Sequence, residues 1–463
     1  MSAGFGDVGL IAAELAGRFG ERFSQADAVR RQHANNVTWI RPQPPDAVVE
    51  VLSTDEVVEV VRLCGRHRVP LIPFGTGTSV EGHVNAPYGG LCLSLRRMDR
   101  IVAVHPEDFD ATVEAGVTRE RLNAELRASG LFFSVDPGAD ASIGGMASTR
   151  ASGTSAVRYG TMRENVIALT VVLPDGSVAT TASRARKSAA GLDMTRLFVG
   201  SEGTLGVVTE VTVRLHGIPE TVIAGTCAFP SVAAACDTAI AVLQSGTPIA
   251  RMELLDARQI RACNAYSRLD LPETPHLFVE FHGSAASTRE DVETFTALAG
   301  ENGGADIRTA DSPEDRSRLW RARHESFWAA VATRPGSLGV STDICVPISR
   351  LAECIEATGR DMDANGIPGT IQGHVGDGNF HAIPLVDPSN PDEVVRMEAF
   401  LDRLAARAHE ASGTCTGEHG IGQNRRRYMV AEFGQPLVAA MAGIKGALDP
   451  GGFMNPGKML PDA

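Results

Sequence analysis

Cysteine occurs eight times, at 64, 92, 227, 236, 263, 345, 354 and 415, yet no two stand as Cys-x-x-Cys. That spacing offers no ligand set for an iron–sulfur cluster and no zinc knuckle. Scattered single cysteines fit buried free thiols in a reducing compartment. An excess of positive charge is also missing: 43 Lys and Arg stand against 56 Asp and Glu, a formal net charge of −13. Phosphate binding needs a basic face and none is evident, so a nucleic-acid partner is excluded. No run of about 18 apolar residues occurs, so no transmembrane segment is expected. The amino terminus has Asp7 where a secretory signal would be basic, and Glu14 interrupts its apolar run. The expected location is the cytoplasm, with peripheral association to a membrane electron carrier left open. No Gly-Lys-Ser/Thr is present, which disfavours a P-loop nucleotidase, and there are no repeats or low-complexity tracts.

At 463 residues the chain has room for two or three domains of roughly 150 residues. A composition of 43% hydrophobic and 21% charged residues describes a globular protein. Residues 1–36 read as a leading helical segment, with Leu10, Ile11, Leu15 and Phe19 at helical spacing and packing on the body. From Val37 strands and helices alternate. Ala47 to Leu52 reads as a strand, Ser53 and Glu56 as a capping box, and Val57, Val60, Val61 and Cys64 as one helical face. Val69 to Phe74 is the next strand, completing a βαβ opening.

That strand runs into Pro73-Phe-Gly-Thr-Gly-Thr-Ser-Val-Glu-Gly82. Glycines let backbone N–H groups approach an anion, and Thr76, Thr78 and Ser79 add donors, so the loop suits a pyrophosphate. It opens no clean helix and so fails the dinucleotide-binding Rossmann pattern. Alone it also reads as an ordinary turn-rich loop. A second stretch, Asp136 to Gly160, is almost free of large apolar residues apart from Ile143, Met146 and Val157. A linker would be richer in charge, and strands resume at once with Val166 to Leu173 and Val178 to Thr181. The stretch is therefore expected to be a surface for a large flat ligand. A third loop, Gly200-Ser-Glu-Gly-Thr-Leu-Gly206, precedes the strand Val207 to Leu215.

Near Ile218 and Pro219 the grammar changes. Helices at Ser231 to Leu243 and Ser287 to Leu298 alternate with strands at Leu277 to His282 and Asp343 to Pro347. This suggests an α+β domain whose antiparallel sheet is covered on one face. Within it lies Gly373-His-Val-Gly-Asp-Gly-Asn-Phe-His381. Asp377-Gly378 predicts a type I′ hairpin turn, which would set Gly376 opposite Asn379, Val375 opposite Phe380 and His374 opposite His381. Opposed residues share a face, with Cβ atoms roughly 4.5–5.5 Å apart. Two imidazoles so placed can bind one metal ion, and Gly417-Glu-His-Gly-Ile-Gly422 brings Glu418 as a third ligand and His419 as a proton carrier. Two histidines and a carboxylate with open positions suit a catalytic ion, and zinc, iron(II) or manganese would fit. A helical stretch from Gln435 to Leu448 leads to the turn cluster Asp449 to Lys458.

These motifs, taken in order, resemble the FAD-dependent D-lactate and D-2-hydroxyacid dehydrogenases of the vanillyl-alcohol-oxidase type, most nearly the cytochrome-type D-lactate dehydrogenases. The likeness spans essentially the whole chain and rests on the loops above, Val157 to Met162, Ser341-Thr-Asp-Ile-Cys-Val-Pro-Ile-Ser349, Gly413 to Gly422 and Met454-Asn-Pro-Gly-Lys458. The resemblance implies a two-lobed FAD-binding domain at 37–217, a substrate-binding α+β cap at 218–448 and a tail, 449–463, returning to the flavin. It implies FAD contacts from Pro73, Gly75, Thr76, Gly77, Thr78, Ser79, Pro137, Gly138, Gly144, Gly145, Ser148, Thr149, Ser152, Gly153, Tyr159, Gly160, Glu202, Gly203, Gly206, Val207 and Asn455. His374, His381 and Glu418 would be metal ligands, His419 the catalytic base and Arg323 the clamp on a substrate carboxylate. Gly77 and Thr78 fill the region where a flavin-linking histidine would stand, so FAD is expected to be non-covalent. His83, just beyond, is expected to be uninvolved.

The implied reaction is oxidation of a D-2-hydroxy acid to its 2-oxo acid. Electrons would pass to a cytochrome, a quinone or an electron-transfer flavoprotein, and a homodimer is one arrangement such a chain could adopt. Two other readings compete: a flavin-free metal-dependent hydrolase using the same histidines, and a flavin-binding subunit of a larger glycolate-oxidase-like complex.

Overall fold

The computed structural model describes residues 4–34, 38–310 and 312–462. The chain divides into two compact units. The first takes residues 1–152, 160–218 and 418–463, and the second takes 153–159 and 219–417. The expected boundary at 36/37 lies outside the described residues. The division near 218 stands where the glycine-rich grammar ends. The chain's return to the first unit begins at Glu418, earlier than the tail expected from 449, and the heptapeptide 153–159 is counted with the second unit. Both differences arise because a short segment belongs to whichever core its side chains enter, which sequence order alone does not reveal.

In the first unit, one sheet has the order Phe23–Ser24, Ala47–Glu50, Leu91–Ser94, Leu71–Phe74, with the last three strands parallel. The expected βαβ opening is present, its helix running Thr54–His67 with Val57, Val60, Val61 and Cys64 buried. Half of the expected capping box forms. Ser53 accepts from the Glu56 N–H, but the Glu56 carboxylate accepts from Leu52 N–H and from Arg22. The leading segment is not one helix. It comprises Ala12–Phe19 and Asp27–Gln32 flanking a strand that pairs with Ala47–Glu50, and Leu10 points outward while Val8, Ile11, Leu15 and Phe19 are buried. A second sheet is antiparallel throughout: Ile101–His105, Asp110–Glu114, Val207–Arg214, Val166–Val172, Val178–Thr180.

The second unit is built on an eight-stranded sheet whose main path runs Ala305–Ala310, Thr221–Ala228, His276–Gly283, Ile249–Leu255, Gly369–His374, Asn379–Val386, Leu338–Gly339. Every pairing is antiparallel, as the α+β reading requires. Coverage on one face only is corrected. Leu277, Val279 and Phe281 enter one apolar cluster, and the intervening Phe278 enters another with Ile260 and Trp320. Successive strand residues point to opposite faces, so helices cover both. The strand Asn379–Val386 is accordingly buried at all eight positions.

Candidate active site

In the first unit the glycine-rich loops converge. Ser142 N–H donates to Thr76 Oγ1 at 3.3 Å, and a Cβ on Gly75 would stand 2.3 Å from Ser142 Oγ. Gly203 packs against the Pro73 ring, and Glu202 N–H donates to Ser148 O at 2.8 Å. Ser142 Oγ is buried with no hydrogen-bond partner among the described residues. An orphan hydroxyl beside a closely approached glycine fits a site for a phosphate or ring oxygen. Other expected contacts are turned inward. Ser148 and Thr149 hydroxyls donate to the carbonyls of Gly144 and Gly145, and Val207 is a core residue beside Leu71 and Leu91. Gly206 faces Val171 and Gly160 faces Glu164, whereas Gly138 is exposed and has open space around it.

Glu202 holds the returning chain. Its backbone has φ +55°, and its carboxylate accepts from Ile421 N–H at 2.7 Å and Gly422 N–H at 2.9 Å. Nε2 of His83 lies 3.2 Å from the same carboxylate. Burial pushes the Glu202 pKa up, but His83 and the two amides outweigh it and hold the group below its ordinary value. His83 is therefore a buried partner of Glu202 rather than an uninvolved loop residue. Asn455 donates to Glu202 O at 2.7 Å, which brings the tail to the third loop. Nζ of Lys458 donates to Asn85 O at 2.7 Å, and burial pushes its pKa down to about 7. Glu418 and His419 stand just ahead of this anchored Gly420–Gly422 turn, His419 Nε2 3.8 Å from Glu418 Oε1.

In the second unit the histidine hairpin forms in a register different from the expected one. His374 pairs with Asn379, Gly373 with Phe380 and Gln372 with His381. The turn is the four-residue Val375 to Gly378, because only Gly378 has positive φ (+80°) and Asp377 does not, so type I′ geometry is absent. The two histidines are diagonal neighbours on one face, a separation long side chains can bridge. Their ring centroids lie 5.2 Å apart and the rings are near perpendicular.

Each ring is oriented through Nδ1. His374 Nδ1–H donates to Glu253 Oε1 at 2.7 Å, and His381 Nδ1–H donates to Thr342 O at 2.6 Å. Neutral imidazoles so held carry their lone pair on Nε2, the arrangement that oriented metal ligands show. Asp343, fully buried, lies 4.0 Å from His381 and accepts from Asn379 Nδ2 and Thr416 Oγ1 at 2.8 and 2.7 Å. The imidazole nitrogens of His374 and His381 and the Asp343 carboxylate are donor types that a divalent cation takes. Arg323 is buried, with Nε and Nη2 on Glu253 at 3.0 and 2.5 Å and Nη1 on Ser326 at 3.2 Å, which leaves one N–H on each Nη. Tyr159, expected at the flavin, shares a 2.7 Å hydrogen bond with His282 Nδ1 in this unit.

Glu253 and Asp343 were missed in the sequence. Asp343 sits in the Ser-Thr-Asp motif, and Glu253 is a carboxylate among the apolar residues of Met252-Glu-Leu-Leu. A lone acid in a buried strand was the available signal.

The family described as FAD binding domain matches residues 45–182, and the family described as FAD linked oxidases, C-terminal domain, matches 218–459. The chain belongs to the FAD-linked oxidases. Among curated relatives of this FAD-linked oxidase, a probable mitochondrial D-lactate dehydrogenase of Danio rerio is 53% identical over 95% of this chain and 89% of its own. A mitochondrial D-lactate dehydrogenase [cytochrome] of Arabidopsis thaliana is 47% identical over 90% and 74%. The glycolate oxidase subunit GlcD of Bacillus subtilis is 32% identical over 95% and 94%. Among solved structures, p-cresol methylhydroxylase with substrate bound superposes with a TM-score of 0.81 at 18% identity, over 97% of this chain and 96% of its own. That likeness shows the fold, the two-lobed vanillyl-alcohol-oxidase type. The FAD-binding match takes in the first two glycine loops, and the C-terminal match takes in Arg323, His374, His381, Glu418, His419 and Asn455.

Proposed function

We propose that this FAD-linked oxidase oxidises a D-2-hydroxy acid, D-lactate or a close analogue, to the 2-oxo acid and passes the electrons to an external acceptor. The observation that carries the reading is the His374–His381 pair, both rings held through Nδ1, in a chain with an FAD-binding domain. The convergent loops around Pro73, Ser142 and Glu202 hold FAD non-covalently. Bound FAD supplies the hydride acceptor at N5. His374, His381 and Glu418 hold a divalent ion, zinc first and manganese or iron(II) as alternatives, which supplies Lewis acidity at the substrate hydroxyl. Arg323 meets the substrate carboxylate with the N–H groups not turned to Glu253 and Ser326. His419 takes the hydroxyl proton as hydride leaves C2. Glu202 fixes the Gly420–Gly422 turn and so sets where His419 stands.

The acceptor is a cytochrome, a quinone or an electron-transfer flavoprotein. Among the described residues no helix is long and apolar enough to cross a membrane, so contact with a membrane carrier would be peripheral. Seven of the eight cysteines are buried, and such scattered thiols are in keeping with a reducing compartment such as the cytoplasm. A second reading, a subunit of a larger complex, draws on the likeness to a glycolate oxidase subunit. Turnover of purified protein with D-lactate and an artificial acceptor, with the 2-oxo acid trapped as its hydrazone, tests the proposal. Product formation by the chain alone supports it, and a purified FAD-loaded chain that forms none counts against it.

A further inference from the structure

Glu253 lies in the strand Ile249–Leu255, fully buried and flanked by Met252, Leu254 and Leu255. It faces His374 directly across the sheet, in register on the neighbouring strand. A carboxylate in such surroundings is strongly disfavoured unless both its charge and its hydrogen-bonding capacity are met. Its two oxygens divide the task. Oε2 takes the Arg323 guanidinium, which balances the charge, and Oε1 takes His374 Nδ1 at 2.7 Å.

Charge balance needs Arg323 alone. The second oxygen has a different consequence, because an imidazole can bond a carboxylate through Nδ1 only when that nitrogen carries the proton. The neutral ring then has its lone pair on Nε2. His381 reaches the same state through a backbone carbonyl, Thr342 O. At His374 the Nδ1 partner at hydrogen-bond distance is a side chain, the Glu253 carboxylate. The same carboxylate also fixes the plane of Arg323, whose remaining N–H groups are the proposed substrate clamp.

Resting on the function proposed above, we infer that Glu253 is a positioning residue: one buried carboxylate sets the ligand form of His374 and the orientation of the Arg323 fork. A Gln there offers one acceptor and one amide donor, so either His374 or Arg323 meets a donor instead of an acceptor.

The test is Glu253→Gln in the FAD-loaded protein, with zinc(II) titrated into the metal-free form and the His374 tautomer read by ¹⁵N NMR of histidine-labelled protein. The expected result is a zinc dissociation constant raised about 10- to 100-fold, with wild-type FAD content and loss of the pure Nδ1–H form of His374. Zinc affinity within twofold of wild type with the tautomer unchanged would overturn the inference. If this variant fails to fold, Glu253→Leu combined with Arg323→Met removes both charges and leaves neither unpaired. The same loss of zinc affinity is expected there, and an unchanged affinity would again overturn it. The tautomer readout separates this inference from the reading it rests on. A wild-type protein that binds no zinc counts against the metal site, while the fate of the Nδ1–H form in the variant still decides the role of Glu253.

Discussion

Replacing Gly378 with Ala attacks the turn from which both histidine strands run. Gly378 has φ +80°, and a Cβ there would stand 2.1 Å from the carbonyl oxygen of Val346. Val346 N–H in turn donates to Gly378 O at 2.9 Å. The left-handed backbone costs a non-glycine residue about 1 kcal/mol. Making room against a fixed backbone carbonyl adds about 1–3 kcal/mol, and weakening the Val346 hydrogen bond about 1 more. The expected loss is therefore about 3–5 kcal/mol. Gly366→Ala isolates the first contribution, since Gly366 has φ +61° with nothing within 4 Å of its would-be Cβ. Urea unfolding followed by the fluorescence of Trp320 and Trp328, both in the second unit, compares the variants. Gly378→Ala should unfold at markedly lower urea than Gly366→Ala and bind zinc more weakly. Equal midpoints would refute the argument that this close approach fixes the hairpin.

Other perturbations reach the chemistry and the electrostatics. His419→Ala should keep FAD but slow flavin reduction about 10²- to 10⁴-fold in stopped flow, and near-normal reduction would remove the base from His419. Chelation to a verified metal-free state should abolish turnover with D-lactate, and zinc(II) should restore it; full activity without metal would refute the ion's role. Asp256 caps the helix Ala257–Ser267, and burial raises its pKa from 3.8 to about 6. A raised carboxyl pKa means the folded state holds its proton more tightly. Its contribution is thus favourable below pH 4 and becomes a penalty as pH rises through 6. Asp256→Asn keeps a capping oxygen and should stabilise the protein at pH 7.5 by about 1–3 kcal/mol, with the gain vanishing near pH 4.

The sequence revealed elements where local rules act alone. The helix Thr54–His67 declared itself by Ser53 and its apolar spacing, and the glycine loops by clustered glycines, several of which sit at positive φ or in close approach to a neighbour. The hairpin register at 374–381 was misjudged by two residues. Asp-Gly favours a two-residue turn locally, but Gly376 packs on Val157 and Gly378 on Val346, and those contacts select the four-residue turn. The histidines still meet, because a shift of two preserves the face. Coverage of both sheet faces was legible only in part: His276–Gly283 is nearly continuous in buried residues, yet Glu280 and His282 break its apolar run. Those polar residues stand two apart on one face of the strand and are paired with each other at 2.7 Å, so their burial is met locally. Glu253 was missed for a different reason: its partners His374 and Arg323 lie 121 and 70 residues away, beyond any local pattern.

The central claim is that this chain moves hydride from a D-2-hydroxy acid to FAD. Anaerobic titration of the purified, FAD-loaded protein with D-lactate and then L-lactate, watching the flavin band near ~450 nm, tests it most directly. Full bleaching by one equivalent of the D enantiomer, with the L enantiomer inert, is the predicted result. A flavin left oxidised by D-lactate and by a panel of other D-2-hydroxy acids would contradict the account.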